Sequence, residues 1–353
     1  MLTPGVIGAL MLATASAVVA PGPDGVQRGS NQPEPAVAPG GQKPGGQKPG
    51  GQESDQQLAT VAFMPLQPGV PIVAGGRGWV VLEFSVLPGW HTYWPGQNAT
   101  GAPVSMTWKL PPGLKVDAPI YPLPTRHVGD GDLLDYVLEG KFVVVVPVEV
   151  DASVAGGPLG EPVLHEIGVD VEYLVCKESC VPGEASLRTK IGVVVPGKGQ
   201  EDVKPSPATP VAGADARAKQ IKEIWSRLPV VASSAERDRV VSHRWSGAGP
   251  ERRLEIEVAF RGGDDGRNTI EFAPFAGGPE LLDALTDAQG VDGKLSMRFK
   301  IGTGTAGPVR GVVILGSGQK RIGYQVEFPL PAPASAPAAA PTSPAKGPKD
   351  SGH

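Results

Sequence analysis

The chain has 353 residues, with 32 Lys and Arg against 36 Asp and Glu and a net charge of −4. That balance, without any basic cluster, argues against binding nucleic acid by phosphate neutralisation, and the length exceeds what one hydrophobic core usually organises, so two domains are expected. Gly (49) and Pro (39) together make up a quarter of the chain and concentrate near both ends and in one internal stretch, which is the composition of linkers rather than of packed cores.

The first residues, MLTPGVIGALMLATASAVVA, form an apolar run with small residues Val18 and Ala20 where a signal peptidase needs them, so 1–20 reads as a signal peptide and the chain as exported. No Lys or Arg precedes the apolar run, which leaves an uncleaved, tethering segment as the other option. No later segment has ~20 consecutive apolar residues, so the mature part is expected to be soluble. Residues 21–54 are a Pro/Gly-rich linker whose repeat PGGQKPGGQKPGGQ (39–52) has no apolar side chain to bury.

Between 55 and 196 the apolar runs are short, β-branched and divided by Pro/Gly turns, as in GWVVLEFSVLPG, GKFVVVVPVEV and IGVDVEYLV. An all-β sandwich or barrel is expected there. A second linker, 197–214, leads to a block at 215–330 that opens with Asp215 as an N-cap and Ile221, Ile224, Trp225 and Leu228 at helical spacing. That block then alternates at Leu254, Ile256, Val258 and Phe260, at Leu295, Met297, Phe299 and Ile301, and at Ile322, Tyr324, Val326 and Phe328. The pattern predicts a second β-rich domain with one helix packed on it. Residues 331–353 read as a disordered Pro/Ala-rich tail.

Both cysteines fall within EYLVCKESCVPGE (172–184). Upstream, Val169, Val171, Tyr173 and Val175 share one strand face, and Asp170, Glu172, Leu174 and Cys176 the other. A straight strand would hold Cys176 and Cys180 ~13 Å apart, whereas a disulfide needs Cα atoms about 4.4 to 6.8 Å apart. A three-residue hairpin loop at Lys177 to Ser179 meets that requirement, and the β-branched and Pro residues around it disfavour a helix. Three chemistries remain open for such a pair: redox exchange, a structural bridge, and metal binding. A bridge over five residues stabilises by only about 2 kcal/mol, which is little for a sandwich of this size. For metal, His91, His127 and His165 lie in the same block, and two thiolates with an imidazole would suit Cu(I). Yet there is neither a Cys-x-x-Cys nor a His-x-x-x-His spacing, and no metal site is expected. No Gly-x-Ser-x-Gly elbow occurs, and the scattered acidic residues fit solvated strand faces and turns. No bound cofactor is expected. Lys177 and Glu178 read as a solvated turn whose opposed charges give no net sign for the thiols.

GWHTYWPG (89–96), WKLPPGLKVDAPIYPLPTRH (108–127), YVLEGKFVVVVPVEV and VEYLVCKESCVPGEASL together resemble the amino-terminal domain of DsbD-type thiol:disulfide interchange proteins. The short cysteine loop is similar to the copper-sensitivity suppressor branch, ScsB, and IEFAPFAGG (270–278) resembles more weakly the β domain that follows in that branch. The resemblance covers about 55 to 196. It implies an immunoglobulin-like sandwich whose pair, Cys176 and Cys180, is catalytic, with Cys180 forming the mixed disulfide. Trp90, Tyr93 and Trp94 would form one wall of a redox cleft, with core packing as the alternative for each, and Tyr173 and His127 would stand nearby. A capping loop corresponds to TRHVGDGDLL (125–134), where His127 or Val128 would shield the sulfurs. The resemblance stops short of the family's membrane and thioredoxin-like domains, so the implied partners are a membrane-embedded thiol reductase on a separate chain and thioredoxin-like or other exported thiol proteins. The alternatives are a non-catalytic binding or structural sandwich with a local disulfide, and a Cu(I)- or Zn-binding copper-tolerance module.

Overall fold

The computed structural model describes residues 57–158, 161–195, 214–230, 241–247, 249–258, 269–302, 307–318 and 321–331. The expected signal segment, both linkers and the tail lie outside the described residues, apart from Ala214 and Pro331. One compact unit extends to Pro229 and a second begins at Val230. No helix among the described residues is long and apolar enough to cross a membrane.

In the first unit the short β-branched runs become strands β1 (Ala59–Pro65), β2 (Ile72–Val73), β3 (Arg77–Val86), β4 (His91–Tyr93), β5 (Ser105–Lys109) and β6 (Leu114–Val116). They continue with β7 (Thr125–Val128), β8 (Leu134–Glu139), β9 (Lys141–Val150), β10 (Val163–Cys176) and β11 (Cys180–Val194). One sheet runs β1-β3-β9-β6 and the other β2-β11-β10-β4-β8-β7, with β5 paired to β10. Alternation along the strands builds the interior: Val80, Leu82, Phe84, Val144, Val146 and Val148 of one sheet, and Ile167, Val169 and Val171 of the other, are all buried. Phe84 meets Tyr173 edge to face at 5.9 Å across the two sheets. The result is the expected immunoglobulin-like β-sandwich.

The run FVVVVPV in β9 is apolar without alternation because both of its faces are covered. Its outer face, with Val145 and the partly buried Val143, lies beneath α1 (Ala214–Arg227). Ile221, Ile224 and Leu228 cluster there with Leu66 and Val81, and Trp225 meets Trp79 edge to face at 5.1 Å. The helical spacing therefore forms its helix, but the apolar stripe joins the first unit rather than the second block, because Trp79, Val81, Val143 and Val145 leave an apolar sheet face to cover. Asp215 is the second residue of that helix, and its side chain lies outside the described residues.

The second unit contains β12 (Val241–Ser246), β13 (Glu251–Val258), β14 (Thr269–Pro274), β15 (Glu280–Leu282), the four-residue α2 (Ala284–Asp287), β16 (Gln289–Val291), β17 (Lys294–Lys300), β18 (Val309–Leu315) and β19 (Ile322–Phe328). They form one sheet ordered β12-β13-β17-β16-β14-β18-β19, with β15 on β17. Leu254, Ile256, Val258, Leu295, Met297, Phe299, Val326 and Phe328 form its core, as their period of two predicts. Ile301 and Tyr324 pack at the margin of that core, and Phe260 lies outside the described residues.

Candidate redox site

Strands β10 and β11 form a long hairpin whose register runs from Val163 opposite Val193 to Cys176 opposite Cys180. Its loop is Lys177 to Ser179, closed by the Lys177 amide donating to the Ser179 carbonyl at 3.2 Å. This is the three-residue turn that the cysteine spacing requires, and a disulfide joins Cys176 to Cys180 with Cα atoms 4.1 Å apart, slightly closer than the usual range. Along β10, Val169, Val171, Tyr173 and Val175 point into the sandwich, so Cys176 stands on the opposite face. There β4 covers it. His91 lies directly opposite Cys176, and Tyr93, two residues on, shares its face. Cys176 is only 3% exposed, in a cluster with Tyr93 and Val137 against which Leu174 packs. Cys180, together with Lys177 and Glu178, is exposed. The two sulfurs of one bond thus differ sharply in access.

Alternation also sorts the aromatic segment. Tyr93 faces the sulfurs, with its hydroxyl 3.6 Å from Cys180 Sγ. Trp94 turns to the interior beside Tyr136, at 6.2 Å between rings, and Tyr173 lies in the core against Phe84. Trp90 is partly buried in the turn before β4, where its amide donates to the Leu87 carbonyl at 3.0 Å. Of the sequence-derived cleft residues, then, Tyr93 reaches a cysteine, while Trp94 and Tyr173 belong to packing.

The β7–β8 hairpin brings His127 to His91, with ring centroids 4.8 Å apart, and His91 also meets Tyr93 edge to face at 5.5 Å. Val128 and Leu133 stay exposed on that hairpin at 49% and 44%. Burial, and after it the neighbouring His127, pushes the His91 imidazole below its ordinary value, against the opposing pull of Glu139 and Asp135. His165 stands apart towards the other end of β10, with Nε2 2.7 Å from the Ala155 carbonyl oxygen. Among the described residues no group of three or more His, Cys, Asp or Glu is arranged to hold a metal ion.

Sequence reasoning missed the residues behind Tyr93. Its hydroxyl lies 3.0 Å from Thr100 Oγ1, and Thr100 donates through Oγ1 to Asp135 Oδ2 at 2.6 Å and through its amide to Asp135 Oδ1 at 3.0 Å. Asp135 is 2% exposed. It therefore corrects the expectation that the acidic residues occupy solvated faces and turns: this carboxylate is buried because the loop after β4 supplies its donors. Asn98 anchors the same loop, with Nδ2 donating to the Trp94 carbonyl at 2.9 Å and Oδ1 accepting from the Tyr136 amide at 2.8 Å. Gly101 lies flat against the Tyr93 ring, where a Cβ would overlap the ring carbons. An acidic residue inside the apolar run LLDYVL was the available signal.

A two-sheet sandwich with a half-buried, half-exposed disulfide at a hairpin tip defines a class of domain suited to sulfur exchange at one accessible atom. Residues 61–191 match the sequence model of the family described as "Thiol:disulfide interchange protein DsbD, N-terminal", and this part of the chain is a DsbD-type N-terminal domain. Among solved structures the chain is similar to the N-terminal periplasmic domain of ScsB from Proteus mirabilis, at 14% identity and a TM-score of 0.45, covering 78% of this chain and 95% of that one. It is also similar to the E. coli chaperone DraB, at 11% identity and a TM-score of 0.18 over 76% and 98% of the two chains. No curated protein matches.

Proposed function

We propose that this chain is an exported thiol:disulfide carrier in which Cys176 and Cys180 accept two electrons from a membrane-embedded thiol reductase on another polypeptide and pass them to thioredoxin-like or other exported thiol proteins. The observation that carries the proposal is the unequal access of the two sulfurs inside a DsbD-type domain: Cys180 is open to attack while Cys176 is sheltered by Tyr93 and Val137. In reduction, a donor thiolate attacks Cys180 Sγ, a mixed disulfide forms, and Cys176 leaves with the electron pair and takes a proton. The donor's second thiolate then attacks its own sulfur in the mixed disulfide and releases Cys180 as a thiolate, leaving the donor oxidised. Donation to an acceptor runs the same steps in reverse. The signal-like segment and the family support an extracytoplasmic, periplasmic setting, where such pairs persist.

The test is the reduction potential of the intact chain, equilibrated in glutathione or dithiothreitol buffers with alkylation to count free thiols. A carrier lies within reach of known thiol reductases. A value far below about −300 mV, or a bond that resists reduction until the domain unfolds, assigns the pair to a structural bridge. Cys176→Ser should in addition trap a mixed disulfide through Cys180, because the resolving thiol is gone.

A further inference from the structure

We propose that Asp135 is a positioning residue that exchanges a proton with Cys180 through Tyr93 and Thr100. The direction of each hydrogen bond follows from which hydrogen each oxygen owns. Asp135 accepts on both carboxylate oxygens, from the Thr100 amide at 3.0 Å and from the Thr100 hydroxyl at 2.6 Å. A hydroxyl has one hydrogen, so Thr100, having given its own to Asp135, can only accept from Tyr93 at 3.0 Å. Tyr93 has then given its hydrogen to Thr100, and it presents a lone pair to Cys180 Sγ at 3.6 Å. In the disulfide form that sulfur carries no hydrogen. Once reduced, its S–H is the donor that the lone pair awaits, and the chain reads Cys180 to Tyr93 to Thr100 to Asp135 in one direction.

This order gives the carrier proposed above its proton path, and in that sense rests on it. When Cys180 is to attack an acceptor, its proton moves to Tyr93 as the Tyr93 proton moves to Thr100 and the Thr100 proton to Asp135 Oδ2. The thiol loses one proton, the carboxylate gains one, and no electrons move. The thiolate then forms an S–S bond to the acceptor as the acceptor's own S–S bond breaks, and the leaving sulfur takes the electron pair. When Cys180 is later released as a thiolate by reduction, the same three shifts run backwards and return the proton. Burial matters here, since a carboxylate at 2% exposure exchanges protons with solvent poorly, and the hydroxyl chain is its outlet. Gly101 keeps the phenol ring in line, because any side chain there would displace it.

The same contacts could instead only anchor the loop after β4, and the test separates the two roles. In the full chain carrying Cys176→Ala, Cys180 is the single thiol, and its thiolate absorbance is followed against pH. Asp135→Asn removes the terminal charge and lets the chain reverse, so that Tyr93 donates towards sulfur. Both changes favour the thiolate, which should rise about tenfold at a given pH below the midpoint. Thr100→Val should act in the same direction and Thr100→Ser should restore the original titration. With Tyr93→Phe in place only the screened through-space effect of the charge is left, so Asp135→Asn should change the thiolate by less than about twofold. The other titratable or charged groups around the site, His91, His127, Glu139, Arg126, Lys177 and Glu178, are common to all variants. An unchanged titration in both Asp135→Asn and Thr100→Val, or an equal change whether position 93 is Tyr or Phe, overturns the relay. If Asp135→Asn does not fold, the contrast of Thr100→Val with Thr100→Ser decides alone. None of this depends on the reduction potential, so a pair that proves to be a structural bridge would end the carrier reading and leave the titration result standing.

Discussion

Replacing both cysteines by alanine removes a covalent link from the end of a hairpin, and the structure sets how much that matters. The closed loop contains the five residues from Cys176 to Cys180, and about 2.1 cal/mol/K plus 1.5R ln n for that loop comes to about 2 kcal/mol at room temperature. Cys176 is also buried, at 3% exposure, and losing its sulfur from the cluster with Tyr93 and Val137 adds about 1 kcal/mol. The β10–β11 ladder from Val163 opposite Val193 to Val175 opposite Val181 does not depend on the bond. The double variant should therefore fold and lose about 3 kcal/mol in all. Equilibrium urea unfolding of the full chain measures this, and five of the six tryptophans, Trp79, Trp90, Trp94, Trp108 and Trp225, lie in the first unit, so their fluorescence follows it. The midpoint should fall with the slope unchanged. A loss above about 5 kcal/mol, or failure to fold, would refute the reasoning and show that the bond is a principal brace of the sandwich.

Gly101→Ala should cost about 1 to 3 kcal/mol and slow exchange at Cys180, because the added methyl overlaps the Tyr93 ring; unaltered unfolding and unaltered alkylation kinetics would contradict it. Leu228→Ala should destabilise the first unit by about 2 to 5 kcal/mol while leaving the transition of the second unit in place, which two-probe denaturation resolves. His91 has a folded-state value below its ordinary one, so the unfolded chain binds more protons as pH falls through about 6.5. The stability it contributes is present above that pH and is lost below it, and His91→Gln should flatten this part of a stability-against-pH curve. Fractionation of cells expressing a tagged chain should recover it outside the cytoplasm; recovery from cytosol alone would remove the compartment a carrier needs.

What could be read in the sequence followed from periodicity and distance. Period two located the cores of both units, and the need to bring Cys176 back to Cys180 within disulfide reach dictated the hairpin. The helix at Ile221 to Leu228 was visible, but its partner was not, since an apolar stripe states that something must cover it without naming the sheet. The aromatic segment was harder for a local reason. Tyr93 and Trp94 are neighbours in sequence and opposites in space, and the choice of face depends on how β4 registers against Cys176. Asp135 was opaque because its donors come from Thr100, thirty-five positions away, across a loop with no regular pattern.

The disulfide lies at the loop end of the β10–β11 ladder, one register pair past Val175 and Val181. The bond is no part of the backbone pairing from Val163 opposite Val193 to Val175 opposite Val181, so breaking it removes none of those strand pairs. A partner of the proposed carrier arriving at the tip would have only the few atoms around Cys180 by which to tell the two states apart. In the proposed carrier, release after exchange would be a local affair, timed by the scission of a sulfur–sulfur bond. Each cycle would then change the stability of the domain by no more than the ~2 kcal/mol of the closed loop.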